Sequence, residues 1–441
     1  MKDIVSSFTA TALIQAANIA SGVMLARFLL PEGRGELAAV ILWPSVIGAI
    51  GIFGLHEAVA FHAARRPRDA AGILRAGLAL GLGLSLLLMP LAALAADWVF
   101  ATARPEVREA AFLYVLFIPL HFIASISVGL FQGMLRFAEW NLLRVLIHAV
   151  YALLIPLFYA LDWGGVQGFA VASLLSLAAV AAAGVLGGAR AGWLTRGTIE
   201  ASVGRNAPSL LKYGVSVHVG ATVAIIAERL DQMIISLALS AADLGLFVVA
   251  LTVARLPLVA ASTLGTVAFP KIAAAEESEK ARIFGRYTRA TMILVLSASL
   301  ALAAVMPWLL TGFFGGAFAD AVPLAWVLLV AAVPLSLKTM ISSGLKGYDR
   351  GVLVGQTEIV TLAASAAALA LLVPTFGLMG AAWASVLAQT AALAFLLARV
   401  ARATGVGVGD LLLPRRADLA VVGDMAAALW ARVAGRTGGA G

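Results

Sequence analysis

The sequence predicts an all-α polytopic membrane protein, with about twelve transmembrane helices in two six-helix lobes related by a pseudo-two-fold axis along the membrane normal. Three observations carry this. The 441 residues are 62% hydrophobic and only 12% charged, whereas a soluble domain carries about 25% charge. Apolar runs of about 18 to 25 residues recur throughout, long enough to cross roughly 30 Å of hydrocarbon as helices. The chain also matches itself at an offset of about 210–215 residues. Gly165-Val-Gln-Gly168 returns as Gly377-Leu-Met-Gly380, and Gly35 pairs with Gly245, Pro44 with Pro257 and Pro119 with Pro334. Gly129 likewise pairs with Gly344, Gly133 with Gly347 and Arg136 with Arg350.

In chain order the spans read 6–30, 37–61, 76–96, 111–132, 145–161 and 166–188, then 213–237, 244–270, 290–313, 321–344, 353–374 and 377–398. The first run is too long for a signal-peptide core and reads as a retained helix. An N-terminal lobe (1–188), a basic inter-lobe linker (189–212) with a turn at Asn206-Ala207-Pro208, and a C-terminal lobe (213–402) follow. A tail (403–441) places Leu419, Val422, Leu429 and Val433 at helical spacing, as in an amphipathic surface helix. The segment 97–109 reads as a solvated outward cap. Residues 271–289 read as a surface helix with an i,i+4 pair between Glu276 and Lys280.

Charge placement fixes orientation. With the N-terminus inside, the inward connections and termini hold 24 basic residues and the outward side three, Arg34, Arg104 and Arg108. This is the positive-inside pattern and puts both termini in the cytoplasm. The net charge of +8 is therefore topology, and nucleic acid is not an expected partner. With no cysteine, thiolate metal sites and disulfides are excluded, and no metal or cofactor is expected. No phosphate loop, nucleophile elbow or His-Glu-x-x-His motif occurs, and no outward loop is large enough to build a polymerase or ligase site. The chain is not expected to be an enzyme.

Four basic residues remain in or beside spans: Arg27, Arg229, Arg255 and Lys338. A charge at membrane depth costs about 2.5–3.5 kcal/mol on insertion scales, so each is a candidate for binding an anion. Arg255 is the most central, in Ala254-Arg255-Leu256-Pro257. Arg229 stands between Glu228 and Asp231, which could simply neutralise it, and Arg27 and Lys338 lie where they could snorkel. Glu57, Glu228 and Asp231 are the candidates for ion coupling, with Glu358 nearer an edge. The five histidines, His56, His62, His121, His148 and His218, lie in or beside spans, either as proton relays or as helix–helix hydrogen bonds. Pro44, Pro119, Pro257 and Pro334 are hinge candidates, since proline removes a helix hydrogen bond.

Arg27-Phe-Leu-Leu-Pro31-Glu-Gly33-Arg-Gly35 resembles the exit from the first helix in Wzx-type oligosaccharide flippases of the multidrug/oligosaccharidyl-lipid/polysaccharide exporter superfamily. Leu30 stands where that family usually has glycine. The resemblance continues through Leu230-Asp231-Gln232, Ala242-Asp-Leu-Gly245, Phe269-Pro270-Lys271, Gly344-Leu-Lys-Gly347 and Gly377-Leu-Met-Gly380, across most of 1–400. It implies an undecaprenyl-diphosphate-linked glycan as cargo, moved across the bacterial inner membrane by alternating access. It also implies polysaccharide polymerase machinery and membrane lipids as partners, with the flippase a monomer. Cell-surface polysaccharide synthesis, of O-antigen, capsule or exopolysaccharide, is the setting. The alternatives are a multidrug/cation antiporter of the same superfamily and a peptidoglycan lipid II flippase. The first span has no acidic residue, which many drug antiporters carry there.

Overall fold

The structure, a computed structural model, describes residues 2–194, 198–413 and 415. Among the described residues it is all helix and short turns, with no strand. The helices are α1 (Lys2–Gly51), α2 (Leu55–Arg65), α3 (Ala70–Val99), α4 (Pro105–Tyr114), α5 (Phe117–Gly133), α6 (Phe137–Ala160) and α7 (Val166–Arg190). They continue as α8 (Ile199–Ala238), α9 (Ala241–Ala254), α10 (Leu258–Ala274), α11 (Glu277–Leu309), α12 (Ala321–Gly347), α13 (Gly351–Thr404) and α14 (Val408–Leu412).

Eight helical stretches among the described residues are long and apolar enough to cross a membrane, or ten if two bent pairs each make one span. Two of the eight are too long to be single spans. At 1.5 Å per residue, the 50 residues of α1 and the 54 of α13 reach roughly 75 and 80 Å, more than twice the hydrocarbon thickness. Each is broken at one residue: Leu30 (φ 58°, ψ 178°) and Gly377 (φ 55°, ψ −133°). Dividing both there brings the spans to twelve. Leu30 occupies a backbone region that strongly favours glycine, which explains why its position resembles a glycine site.

The chain forms two compact units, one of residues 1–249 with 311–318, the other of 250–310 with 319–441. In the first unit, glycines let helices meet backbone to backbone, the main source of close helix packing in lipid. A Cβ on Gly35 would lie 1.6 Å from the Ala241 carbonyl oxygen, and one on Gly245 1.9 Å from that of Pro31. The two glycines paired by the repeat therefore face each other. Gly54 (φ 65°) and Gly214 do the same where α1 gives way to α2, and His218 Nε2 bonds across that contact to the Ile50 carbonyl, 2.7 Å away. Its partner being a carbonyl, the ring nitrogen donates.

The 189–212 segment is not a loop throughout. From Ile199 it is helix and runs through Pro208 without the expected turn. The reason is packing: Asn206 is fully buried, and Ser202 accepts a hydrogen bond from Arg75 of α3 at 3.0 Å. In 271–289 the helix breaks at 275–276, leaving Glu276 extended (ψ 149°). Lys280 therefore pairs with Glu277, three residues away at 2.7 Å, rather than with Glu276. The start of the tail folds onto the second unit, with Leu411 buried against a cluster that includes Phe284, Ile341 and Leu345. Leu419, Val422, Leu429 and Val433 lie outside the described residues.

The halves end their helices alike. Leu135 (φ 57°) and Asp349 (φ 56°) close α5 and α12 in the left-handed region. The next residues, Arg136 and Arg350, donate their backbone N–H to Phe131 and Leu345, both at 2.9 Å. Gly168 and Gly380 each admit a carbonyl from the preceding segment, Trp163 and Leu372, about 2 Å from where a Cβ would stand. The proline pairs diverge. A helix break at 115–116 ends three residues before Pro119, and Pro257 lies within another, whereas α1 and α12 run on through Pro44 and Pro334.

Gly35→Ala is expected to lower folded yield, with roughly 2–4 kcal/mol of strain, because only backbone surrounds the added methyl. Gly22→Ala, with nothing within 4 Å of its Cβ, should be neutral or slightly stabilising. Fluorescence-detected size-exclusion after a temperature ramp separates the two. Equal melting of both variants would overturn the contact.

Candidate functional site

The first unit has an open cavity of about 320 Å³ whose lining is mostly apolar but includes several polar side chains. α5 presents His121 and Ser125 one turn apart, and α6 presents Arg144 and His148 at the same spacing. His56 joins from α2, and Leu143, Ile147, Leu177 and Val180 form apolar wall. Gly129 and Gly133 set this geometry, since a Cβ on either would sit 2.4 Å from the His56 carbonyl oxygen or 2.2 Å from that of Ala60. Their close approach brings α2 and α5 together and aims both histidines at one space. His121 stacks on Phe117, with ring centroids 5.0 Å apart, and the Arg144 guanidinium lies 4.4 Å from the Trp140 ring centroid. His56 Nδ1 stands 3.0 Å from the Glu57 carboxylate.

The histidines thus fall into two groups. His62 and His218 bond backbone carbonyls of α8's Ser209 and α1's Ile50 and act as helix glue. His56, His121 and His148 converge on the cavity. No group of three metal-ligating side chains with suitable geometry occurs among the described residues, so the three imidazoles do not form a metal site. Of the acidic candidates, Glu57 is half-exposed beside this cavity. Asp231 is buried and accepts the Gln232 N–H at 2.7 Å, while Glu228 and Arg229 are exposed on α8.

The four intramembrane cations differ in what holds them. Arg27 donates to the carbonyls of Gly312 and Phe313, capping the end of the helical segment that follows α11. Lys338 is buried and bonds Glu358 at 3.1 Å and the Thr361 hydroxyl at 3.3 Å. Both are engaged by the protein itself. Arg255 is half-buried within the break between α9 and α10, where the chain bends by 48° and Pro257 interrupts the helix ladder. Arg229 belongs to the first unit and Arg255 to the second.

On the segment 97–109, Arg104 makes a two-pronged bond to Glu36 (3.2 and 2.6 Å) and Arg108 pairs with Asp97. The Glu36 carboxylate raises the Arg104 pKa further above its ordinary value. The expected solvated cap is thus tied to α1 by a charge pair. Sequence reading did not find the convergence of His56, His121, His148 and Arg144. The only signal was the four-residue spacing on α5 and α6, which many lipid-facing residues share.

The sequence profile described as "Polysaccharide biosynthesis protein" matches residues 24–323, well over half the chain. The chain belongs to this family. No curated protein matches it in sequence. Among solved structures, the family member shares its fold with an inward-facing multidrug resistance transporter of the MATE family, of the MOP superfamily (18% identity, TM-score 0.68). That match covers 90% of this chain and 98% of the other. It also matches the lipid II flippase MurJ in an inward closed conformation (14%, TM-score 0.73, 90% and 87% covered). An outward-facing MATE transporter matches at 19% and TM-score 0.60, covering 91% and 94%. These neighbours are transporters and flippases rather than enzymes, and at such identities they establish the fold: a polytopic membrane protein of the superfamily's two-lobe, twelve-helix type.

If Lys338 is a structural cation, Lys338→Met strands the Glu358 carboxylate and destabilises the protein by on the order of 3 kcal/mol. Adding Glu358→Gln should then restore most of the loss. Melting temperatures of the two variants decide this. No recovery in the double variant would count against the pair.

Proposed function

We propose that this family member is a flippase that moves an undecaprenyl-diphosphate-linked oligosaccharide from the cytoplasmic to the periplasmic leaflet. It would do so by alternating access in the bacterial inner membrane, with both termini cytoplasmic. The setting is the synthesis of O-antigen, capsule or exopolysaccharide. The observation that carries the reading is the match to a polysaccharide biosynthesis family by a chain with a transporter fold. Its N-terminal and C-terminal lobes take the boundaries read from the repeat, and its hinges lie just before Pro119, at the break 115–116, and at Pro257, within the break 255–257.

The cargo's diphosphate calls for a cation at membrane depth, and Arg255 fits that need best. Broken backbone is tolerated within hydrocarbon only where it is buried in protein or lines an aqueous path, and discontinuous helices are where transporters place their substrate contacts. A guanidinium fork suits phosphate oxygens, two at a time. Arg229 is the supporting cation; Arg27 is bonded to the Gly312 and Phe313 carbonyls and Lys338 to Glu358 and Thr361. Proteoliposomes loaded with labelled lipid-diphosphate sugar test the assignment. Arg255→Ala should abolish flipping at normal folded yield, and Arg255→Lys, keeping charge but losing the fork, should slow it roughly tenfold or more. Wild-type flipping in Arg255→Ala would remove Arg255 from cargo binding.

The coupling ion is assigned to Glu57, with Glu228 and Asp231 as the second candidate pair. Glu57 is supported by its contact with His56, whose imidazole lines the histidine cavity and is a proton carrier by chemistry. Glu57→Gln and Asp231→Asn are to be compared with wild type in the presence and absence of a proton gradient. The carboxylate that couples should lose gradient dependence on neutralisation. Unchanged dependence in both variants would exclude them.

A further inference from the structure

The repeat allows the two halves to be compared residue by residue at the basic end of each. In the first half, Arg136 follows α5 and is closed off. It pairs with Glu139 three residues on, and its guanidinium lies over the rings of Phe131 (5.4 Å) and Trp193 (5.5 Å). Gly187 of α7 lets the Phe131 ring in, since a Cβ there would stand 2.9 Å from it. The equivalents in the second half change this arrangement. Counting from Arg136 and Arg350, Leu353 stands where Glu139 is, and the carboxylate is gone. Counting along α7 and α13 from Gly168 and Gly380, Arg399 stands where Gly187 is and Arg402 where Arg190 is.

The consequence is a hollow of about 500 Å³ at this end of the second unit, lined by Arg350, Arg399 and Arg402 with Gln356 and the first turn of α13. Its volume lies within the range of small-ligand sites, roughly 300–1,000 Å³. Arg350 Nε donates to the Ala403 carbonyl at 3.2 Å, which holds its guanidinium beside the turn that carries Arg402. Asp349 lines the same hollow, but no ion pair joins it to any of the three arginines among the described residues. Three exposed guanidinium groups share this space with the single carboxylate of Asp349, and Arg399 also lies 5.7 Å from the Phe395 ring centroid, so the hollow keeps a net positive charge that a bound anion would offset. Positive-inside topology puts this end at the inner leaflet, where anionic headgroups are concentrated.

We infer that Arg350, Arg399 and Arg402 form a phosphate-binding site at the inner membrane surface, separate from the transport site proposed above. The phosphate comes either from an anionic lipid headgroup or from a soluble or carrier-linked diphosphate. The proposal does not depend on Arg255 or on the identity of the cargo.

Purified full-length protein in detergent tests it with two probes. Native mass spectrometry reads retention of phosphatidylglycerol against phosphatidylcholine, and thermal shift reads binding of inorganic pyrophosphate. Arg399→Gly, the residue of the first half, combined with Arg402→Gln should weaken the retained anion about tenfold or more. Arg190→Gln, the equivalent of Arg402 in the other half, should leave it unchanged. Selective retention of phosphatidylglycerol without a pyrophosphate shift identifies a headgroup site. A pyrophosphate shift lost in the double variant identifies a diphosphate site. Absence of both signals, equal signals in wild type and the double variant, or an equal loss in Arg190→Gln overturns the proposal. Should the double variant not fold, Arg402→Gln alone, at an exposed position, carries the same comparison.

Discussion

Hydrocarbon offers a backbone N–H or C=O no partner, so every place where this chain leaves the helix must be answered by the protein itself. The answers are specific. The left-handed residues Leu135 and Asp349 turn the next N–H back onto the helix they end. Arg27 supplies donors to the carbonyls of Gly312 and Phe313. The break between α1 and α2 is met by Gly214 and by His218, whose ring bonds the Ile50 carbonyl. The interruptions at 115–116 and 255–257 are bridged by the backbone, with Leu116 N–H donating to the Leu113 carbonyl and Leu258 N–H to that of Arg255.

The same constraint explains how the helices hold together. Apolar side chains gain little from leaving lipid for one another, so contact depends on how closely backbones approach. Glycine sets that distance between Gly35 and Gly245, and between α5's Gly129 and Gly133 and α2. The second of these contacts also builds the histidine cavity, because it fixes where His56 stands relative to His121. In this fold a packing residue and a site residue can be the same decision.

Charge is distributed by whether the protein supplies a partner. Lys338 has Glu358, Arg104 has Glu36, and Arg136 has Glu139 and two aromatic rings. These pairs lower the cost of holding a charge away from water. Arg350, Arg399 and Arg402 share a hollow with the one carboxylate of Asp349. The two halves end these helices alike but differ at single positions, Glu139 against Leu353 and Gly187 against Arg399, and on the proposal above this difference leaves one end closed and the other open to an anion.

The sequence alone determined the class, the twelve spans and the repeat. Hydropathy over 20 residues and the asymmetry of arginine and lysine are summed properties, insensitive to which face any residue takes. It also raised Arg255 as a candidate, since a cation inside an apolar run is visible without coordinates. The fate of the others required tertiary structure. Nothing in the sequence distinguishes Lys338, bonded to Glu358 on another helix, from a cation open to cargo, and the linker's Asn206 looked like a turn until α3 was seen to bury it. His56, His121 and His148 lie on three helices and meet only because glycines let α2 and α5 touch. A partner distant in sequence is decided by helix approach, and helix approach is decided by packing between segments that local pattern does not encode.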